Sequence, residues 1–121
     1  MNKKEFNNLS KLYSPLITRI INDNVRFYRF KKTIKWCFVY KEELSLMAET
    51  DRKTNIISFN LNAINYSYLT DHIMDIEYYA LHEIRRVFQH LIISSNISGT
   101  EKYFSGYYFE NNEYYIISIK Y

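Results

Sequence analysis

The feature that most constrains the fold is a long amphipathic helix predicted between Asp71 and Ser94. Apolar residues recur there at steps of three and four, the spacing that places them on one face of a helix. Thr70 or Asp71 can cap its start, and Asp75 and Glu77 lie near the positive end of the helix dipole. The apolar face consists of Ile73, Ile76, Ala80, Ile84, Val87, Phe88 and Leu91. This face must be buried against other elements.

A second helix is predicted at the start of the chain, over about 23 residues with the same spacing of apolar side chains. Ser14 followed by Pro15 is typical of an N-cap with proline at the first helical position. We therefore expect one helix that is kinked or restarted near Pro15. Its apolar residues are Phe6, Leu9, Leu12, Tyr13, Leu16, Ile17, Ile20 and Ile21.

The segment between these helices is rich in aromatic and β-branched residues, which favours strands. Strands are predicted near residues 34–40, 44–49 and 56–61, with a polar turn at 51–55. We expect an antiparallel meander from Trp36 to Leu61, and a C-terminal hairpin that turns at Asn111-Asn112. The predicted fold class is α+β: a small antiparallel sheet packed on the N-terminal helix and the long helix, with an aromatic C-terminal hairpin.

Length and composition indicate one domain over residues 1–121. The 13 Tyr and 8 Phe, against 2 Gly and 1 Pro, suggest an AT-rich genome, such as that of a low-GC bacterium or its phages. A formal net charge of +3 is too small to indicate nucleic-acid binding by itself, and it excludes a strongly acidic, DNA-mimicking surface.

The chain has one cysteine, Cys37, so no internal disulfide can form. Its neighbours Trp36 and Phe38 predict a buried strand, where a thiol behaves as a small hydrophobe. The N-terminus lacks the apolar run of a signal peptide, and no apolar segment approaches the ~18–20 residues that a membrane span needs. We expect a soluble, cytoplasmic protein.

The long helix carries His82-Glu83, the first half of the zinc-peptidase motif H-E-x-x-H. In that motif two histidines at i and i+4 bind one Zn²⁺, and the glutamate acts as general base for the metal-bound water. Arg86 stands at the position of the second histidine. Arginine stays protonated and has no lone pair to donate, so the residues argue against a catalytic zinc ion.

Around this helix the chain resembles the small zincin-like metallopeptidases of Gram-positive bacteria, their phages and mobile elements. Their pattern H-E-x-R-H-x-x-Q is matched by His82, Glu83, Arg85 and Gln89. Their preceding strand, N-x-I-x-[IFL]-N, is matched by residues 55–60, and their acidic, apolar helix start by residues 75–81. The resemblance covers roughly residues 44 to 93 and implies a zincin-like fold.

The resemblance implies a third metal ligand further along the chain, and Glu101, Glu110 and Glu113 are the acidic residues available there. His90 lies eight residues from His82, about 12 Å along a helix, which is too far for both to bind one ion. His72 precedes the helix and would need a suitable loop. We therefore expect no metal, with zinc at His82 if any.

Two interpretations of these residues follow. In the first, the motif is vestigial: His82, Glu83 and Arg86 have no catalytic role, and Glu83 pairs with Arg86 at i, i+3. The chain is then a zincin-like protein-binding module, for instance an inhibitor or accessory factor from a phage or mobile element. In the second, the chain is an active zinc metallopeptidase with a non-standard ligand set. A chance His-Glu pair on an ordinary amphipathic helix also remains open.

A third alternative is nucleic-acid binding by residues 26–35, where cations alternate with aromatic residues. The cations are Arg26, Arg29, Lys31, Lys32 and Lys35. A strand with aromatic residues inward and lysines on a solvated edge explains the same pattern and is favoured.

The residues expected to bind a partner protein lie on the long helix and in the C-terminal hairpin. Tyrosine is enriched at protein interfaces because it buries a large area and keeps a polar tip. The hairpin tyrosines fit a docking surface and fit packing on the helix equally well. The expected binding residues are Arg85, Gln89, His90, Tyr107, Tyr108, Tyr114 and Tyr115.

Overall fold

A computed structural model of the chain describes residues 1–25, 33–95, 107–110 and 113–116. Its helices are α1 (Lys3–Val25), α2 (Leu61–Leu69) and α3 (Ile73–Ser95). Its strands are β1 (Trp36–Val39), β2 (Ala48–Thr50), β3 (Ile57–Asn60), β4 (Tyr107–Glu110) and β5 (Glu113–Ile116). The predicted α+β class is confirmed.

Helix α1 confirms the predicted N-terminal helix and runs through Pro15 as one element. It begins earlier than the Ser14-Pro15 signal because Asn2 caps it. The Asn2 side-chain oxygen accepts from the Glu5 amide at 2.8 Å, and the Asn2 amide donates to the Glu5 carboxylate at 2.9 Å. The first bond satisfies one of the free backbone amides at the start of the helix, as an N-cap does, and the second joins the two side chains.

The β1–β3 sheet is mixed, so the predicted antiparallel meander is wrong. The strand order is β1-β3-β2; β3 lies antiparallel to β2 and parallel to β1. Strand β2 also begins later than the predicted 44–49 strand. The carbonyls of Glu43 and Leu46 instead accept hydrogen bonds from the Asn60 side chain at 2.9 Å.

Cys37 is exposed, which corrects the prediction of a buried thiol. Strand β1 is an edge strand, and successive side chains point to opposite faces of a sheet. Trp36 packs edge-on against Phe38 and the buried Phe59, with ring centroids 5.1 and 5.9 Å apart. Cys37 therefore lies on the other face, with its sulfur 3.6 Å from the hydroxyl of its register partner Ser58.

Helix α2 was not predicted from the sequence. Asn60 caps it: the side-chain oxygen accepts from the Asn62 amide at 3.2 Å. Leu61 and Ile64 are fully buried, and Tyr68 packs edge-on against the buried Tyr13 of α1 at 5.6 Å. Burial raises the pKa of Tyr13, and the nearby Tyr68 hydroxyl raises it further. Its hydroxyl donates to Asn65 at 2.6 Å, which joins α1 to α2.

Helix α3 confirms the strongest prediction, and its apolar face packs against α1, α2 and β2. The largest fully buried side chains come from α1, β3, α2 and α3: Ile17, Ile57, Phe59, Leu61, Ile64, Ile76, Ile84, Val87 and Phe88. These elements therefore share one hydrophobic core. Within the described ranges, no helix combines the length and the apolar character that crossing a bilayer requires.

The predicted C-terminal hairpin is present as strands β4 and β5. They pair antiparallel with Tyr107 opposite Ile116 and Glu110 opposite Glu113. Strand β5 contacts α3. The predicted turn residues Asn111 and Asn112 lie outside the described residues.

Candidate functional site

The His82-Glu83-Arg86 group lies at mid-length on α3, on the side of the helix that approaches β2. His82 is exposed, Glu83 is buried with 6% of its surface accessible, and Arg86 is half-buried. Helical spacing brings the three side chains to one side, as a zinc motif would require. In the described part of the chain, no group of three His, Cys, Asp or Glu side chains is arranged to hold a metal ion.

Glu83 is held by a hydrogen bond from β2 that the sequence did not reveal. The Thr50 hydroxyl donates to Oε2 of Glu83 at 2.7 Å. The bond joins residues 33 positions apart and fixes α3 against the edge strand of the sheet. The predicted pairing of Glu83 with Arg86 stays a prediction.

Beside this bond lies an open polar groove of about 510 Å³, lined by Glu49–Lys53 and Ser58. Its wall carries both signs of charge, with Glu49 and Asp51 beside Arg52 and Lys53. Lys41 reaches Glu49 at 2.7 Å, but both side chains are largely exposed, so this ion pair adds little stability. The groove includes Glu49 and Ser58, which are partners in the β2–β3 register, so it extends onto the face of the sheet that carries these two side chains.

The rim of the groove is a tight turn between β2 and β3. The Asp51 carboxylate accepts from the amides of Lys53 at 2.8 Å and Thr54 at 3.2 Å. These backbone hydrogen bonds, the Lys53 bond foremost, lower the pKa of Asp51. Asn55 closes the turn at φ 58°, in the left-handed region that asparagine tolerates better than most residues. The predicted turn at 51–55 is thus confirmed.

Asn60, the last residue of the strand in the family pattern, has a structural role. It is 2% exposed, and its side-chain oxygen accepts from the Lys41 amide at 2.9 Å and from the Asn62 amide. With the two carbonyls that its amide nitrogen reaches, it ties residues 41–46 to the start of α2. The buried Phe59 beside it belongs to the core.

Of the candidate additional ligands, the side chains that the structure describes are those of His72 and His90, and neither forms a metal-binding group with His82. The ring of His72 lies 3.1 Å from the Thr70 hydroxyl, before α3 begins. His90 is half-buried two turns beyond His82. Glu110 and Glu113 face each other in the β4–β5 register, while Glu101 lies outside the described residues.

The predicted binding residues have different surroundings. Arg85 is exposed, whereas Gln89 is buried with 4% of its surface accessible, so it is not available at the surface. Among the described residues, the Gln89 amide nitrogen has no hydrogen-bond partner. The four hairpin tyrosines occupy β4 and β5, and their side chains lie outside the description: Tyr107, Tyr108, Tyr114 and Tyr115.

Most of the residues expected to bind nucleic acid in the third alternative lie outside the described ranges. Arg26, Arg29, Lys31 and Lys32 are among residues 26–32, which the structure does not describe. Lys35 is exposed immediately before β1.

Sequence reasoning missed an exposed apolar surface on α2 and α3, which we call the α2–α3 surface. It consists of Tyr66, Tyr68, Leu69, Ile73, Met74, Tyr78 and Leu81, each at least 38% exposed. The signal was present in the sequence, because Met74, Tyr78 and Leu81 are apolar positions off the buried face of α3. Ile73, predicted to lie on the buried face of α3, is instead 39% exposed and belongs to this surface.

In comparisons with known proteins, no family model, no curated protein and no solved structure matches the chain.

Proposed function

We propose that this chain is a catalytically degenerate zincin-like domain that acts in the cytoplasm by binding another protein. The observation that carries the proposal is Arg86 at the position of the second zinc ligand, half-buried on the same side of α3 as His82 and Glu83. A guanidinium cannot ligate a metal, and its charge opposes a cation bound one turn away at His82.

The surroundings of Glu83 support the same proposal. A general base needs its carboxyl group turned toward a water molecule on the metal. The Oε2 atom of Glu83 instead accepts a hydrogen bond from Thr50, and the side chain is almost fully buried. The residues therefore do not fit a catalytic zinc ion, and Glu83 serves to connect α3 to β2.

The α2–α3 surface supports protein binding. Large exposed aromatic and aliphatic side chains on two helices in contact are typical of interaction sites. Tyr66, Leu69, Met74 and Tyr78 expose between 54% and 74% of their surfaces. The resemblance to zincin-like proteins of mobile elements extends this proposal to an inhibitor or accessory factor whose partner is a host or defence protein.

Zinc analysis tests the catalytic part of the proposal. We expect tag-free wild-type protein to hold far less than one equivalent of zinc and to cleave no peptide. Arg86→His restores the i, i+4 histidine pair, so this variant should retain zinc at micromolar free metal. Arg86→Gln is the matched control, because it removes the charge without supplying a ligand, and it should stay metal-free. Stoichiometric zinc in the wild type would overturn the proposal.

Affinity capture from the cells that naturally express the chain tests the binding part. Wild-type protein should retain a partner that the Tyr78→Glu variant loses, because a carboxylate at the centre of an apolar contact must be desolvated. Lys53→Glu is a matched control: it introduces the same residue on the groove, away from the α2–α3 surface. Equal capture by all three proteins would remove this surface from the proposal.

A further inference from the structure

The outward face of α3 has the spacing of a helix–helix seam. Four exposed residues follow one another at steps of four, three and four: Met74, Tyr78, Leu81 and Arg85. This 4-3-4 repeat is the one that lets a helix pack along a second helix with interlocking side chains. Over this stretch the seam is about 16 Å long, at 1.5 Å per residue.

The seam has no partner within the described part of the chain. The core side of α3 is filled by Ile76, Ala80 and Ile84, all fully buried. Met74 and Tyr78, on the other side, expose 74% and 66% of their surfaces. Large apolar residues in seam register therefore face outward from the fold.

The charges along the seam select both the partner and its direction. Asp75 flanks the first half, and Arg85 lies in the second half. A parallel copy of α3 would place Arg85 against Arg85. An antiparallel copy centred between Tyr78 and Leu81 places Asp75 near Arg85 of the second copy, twice by symmetry. It also packs Tyr78 against Leu81 of the second copy, and Met74 against the aliphatic part of the second copy's Arg85 side chain.

We propose that the seam binds a second copy of this chain in an antiparallel, two-fold α3–α3 contact. The inference rests on the proposed function, since the seam is part of the α2–α3 surface, and it names a partner for that surface. A two-fold contact uses the same patch on both chains, which explains why the patch is self-complementary in charge. A seam this short belongs with interfaces below ~1,200 Å², which form reversible complexes.

Sedimentation equilibrium of the full chain tests the contact between about 10 µM and 1 mM, a range suited to a weak complex. A reducing agent is included, because the exposed Cys37 can link two chains by itself. We expect the mass to rise from monomer toward dimer with concentration. Tyr78→Glu should weaken dimerisation about tenfold or more. Leu12→Glu, at a similarly exposed apolar residue on α1 and outside the α2–α3 surface, should leave it within about twofold.

Charge exchange tests the direction of the contact. Asp75→Arg and Arg85→Asp should each weaken dimerisation roughly threefold, and the double variant should restore it, because the pairs re-form with opposite sign. Circular dichroism confirms that α3 is intact in each variant. A wild type that stays monomeric to about 1 mM, or a dimer unaffected by Tyr78→Glu, would overturn the proposal.

Two results separate this inference from the proposed function. A monomeric wild type that still captures a different protein through Tyr78 refutes self-association and leaves the binding module standing. A wild type that neither dimerises nor captures a protein refutes both. Dimerisation with restoration by the double charge variant supports self-association, and a wild type that dimerises but captures no other protein refutes the proposed function alone.

Discussion

Replacing Asn60 by alanine is expected to lower the free energy of unfolding by about 2–4 kcal/mol, a large part of the ~5–15 kcal/mol typical of a domain. The buried side chain accepts from the amides of Lys41 and Asn62 and donates to the carbonyls of Glu43 and Leu46. Alanine removes all four bonds at once and leaves partly buried backbone groups without partners. Urea titration followed by circular dichroism measures the loss.

Asn62→Ala provides the comparison. The Asn62 side chain is half-buried and donates to the carbonyls of Lys41 and Glu42, so its loss should cost only about 1 kcal/mol. Asn60→Asp keeps both acceptor contacts but turns a carboxylate oxygen toward two carbonyls. Its loss in the free energy of unfolding should lie between the losses of the two alanine variants. Equal losses for Asn60→Ala and Asn62→Ala would contradict the central role of Asn60.

Thr50→Val is the second large effect. Valine preserves the shape of threonine but removes the hydroxyl that donates to Glu83, so a buried carboxyl oxygen loses its partner on β2. We expect a loss of about 1–3 kcal/mol in the free energy of unfolding. Thr50→Ser keeps the hydroxyl and should retain most of the stability, apart from the lost methyl group.

A double-mutant cycle isolates the Thr50–Glu83 bond. Glu83→Gln keeps an acceptor oxygen at nearly the same position, whereas Glu83→Ala removes the partner altogether. Thr50→Val should therefore add little to Glu83→Ala, because the bond is already absent. Fully additive losses would show that the two side chains act independently and that Glu83 has another structural role.

Features that depend on spacing within one segment could be predicted from the sequence. The helices α1 and α3, the turn at residues 51–55 and the hairpin β4–β5 each have a local signal, either a helical period or a cluster of turn residues. Helix α2 also has a local signal, the cap Asn60 followed by Leu61, Ile64 and Tyr68. Asn60 and Leu61 fit equally well the end of the predicted 56–61 strand.

Features that depend on distant contacts could not be predicted. The parallel pairing of Trp36 with Ile57 joins segments on either side of β2, and neither segment encodes its direction. Cys37 is exposed because its side chain lies on the face of the sheet opposite Trp36 and Phe38, and the sequence does not show which face the helices cover. The contact of Glu83 with Thr50 is equally non-local, so the sequence placed residues 82–86 on a helix but could not predict which residues of other elements they contact.

The roles of Phe59 and Asn60 also bear on the resemblance to zincin-like proteins. Both residues belong to the matched strand, and both are explained by packing and hydrogen bonding without a metal ion. A strand match of this kind is therefore explained by folding requirements and is no evidence of shared activity.

The parallel β1–β3 pairing has a consequence for the order of folding. Strands β2 and β3 are joined by the short turn at Asp51 and Asn55, so their hairpin closes a small loop and can form early. Strand β1 can join β3 only by closing a loop that contains the whole of β2. The edge strand with Cys37 should thus be acquired late, after the nucleus of β2, β3 and their packed helices has formed. Until then the outer edge of β3 is open to pairing with another chain.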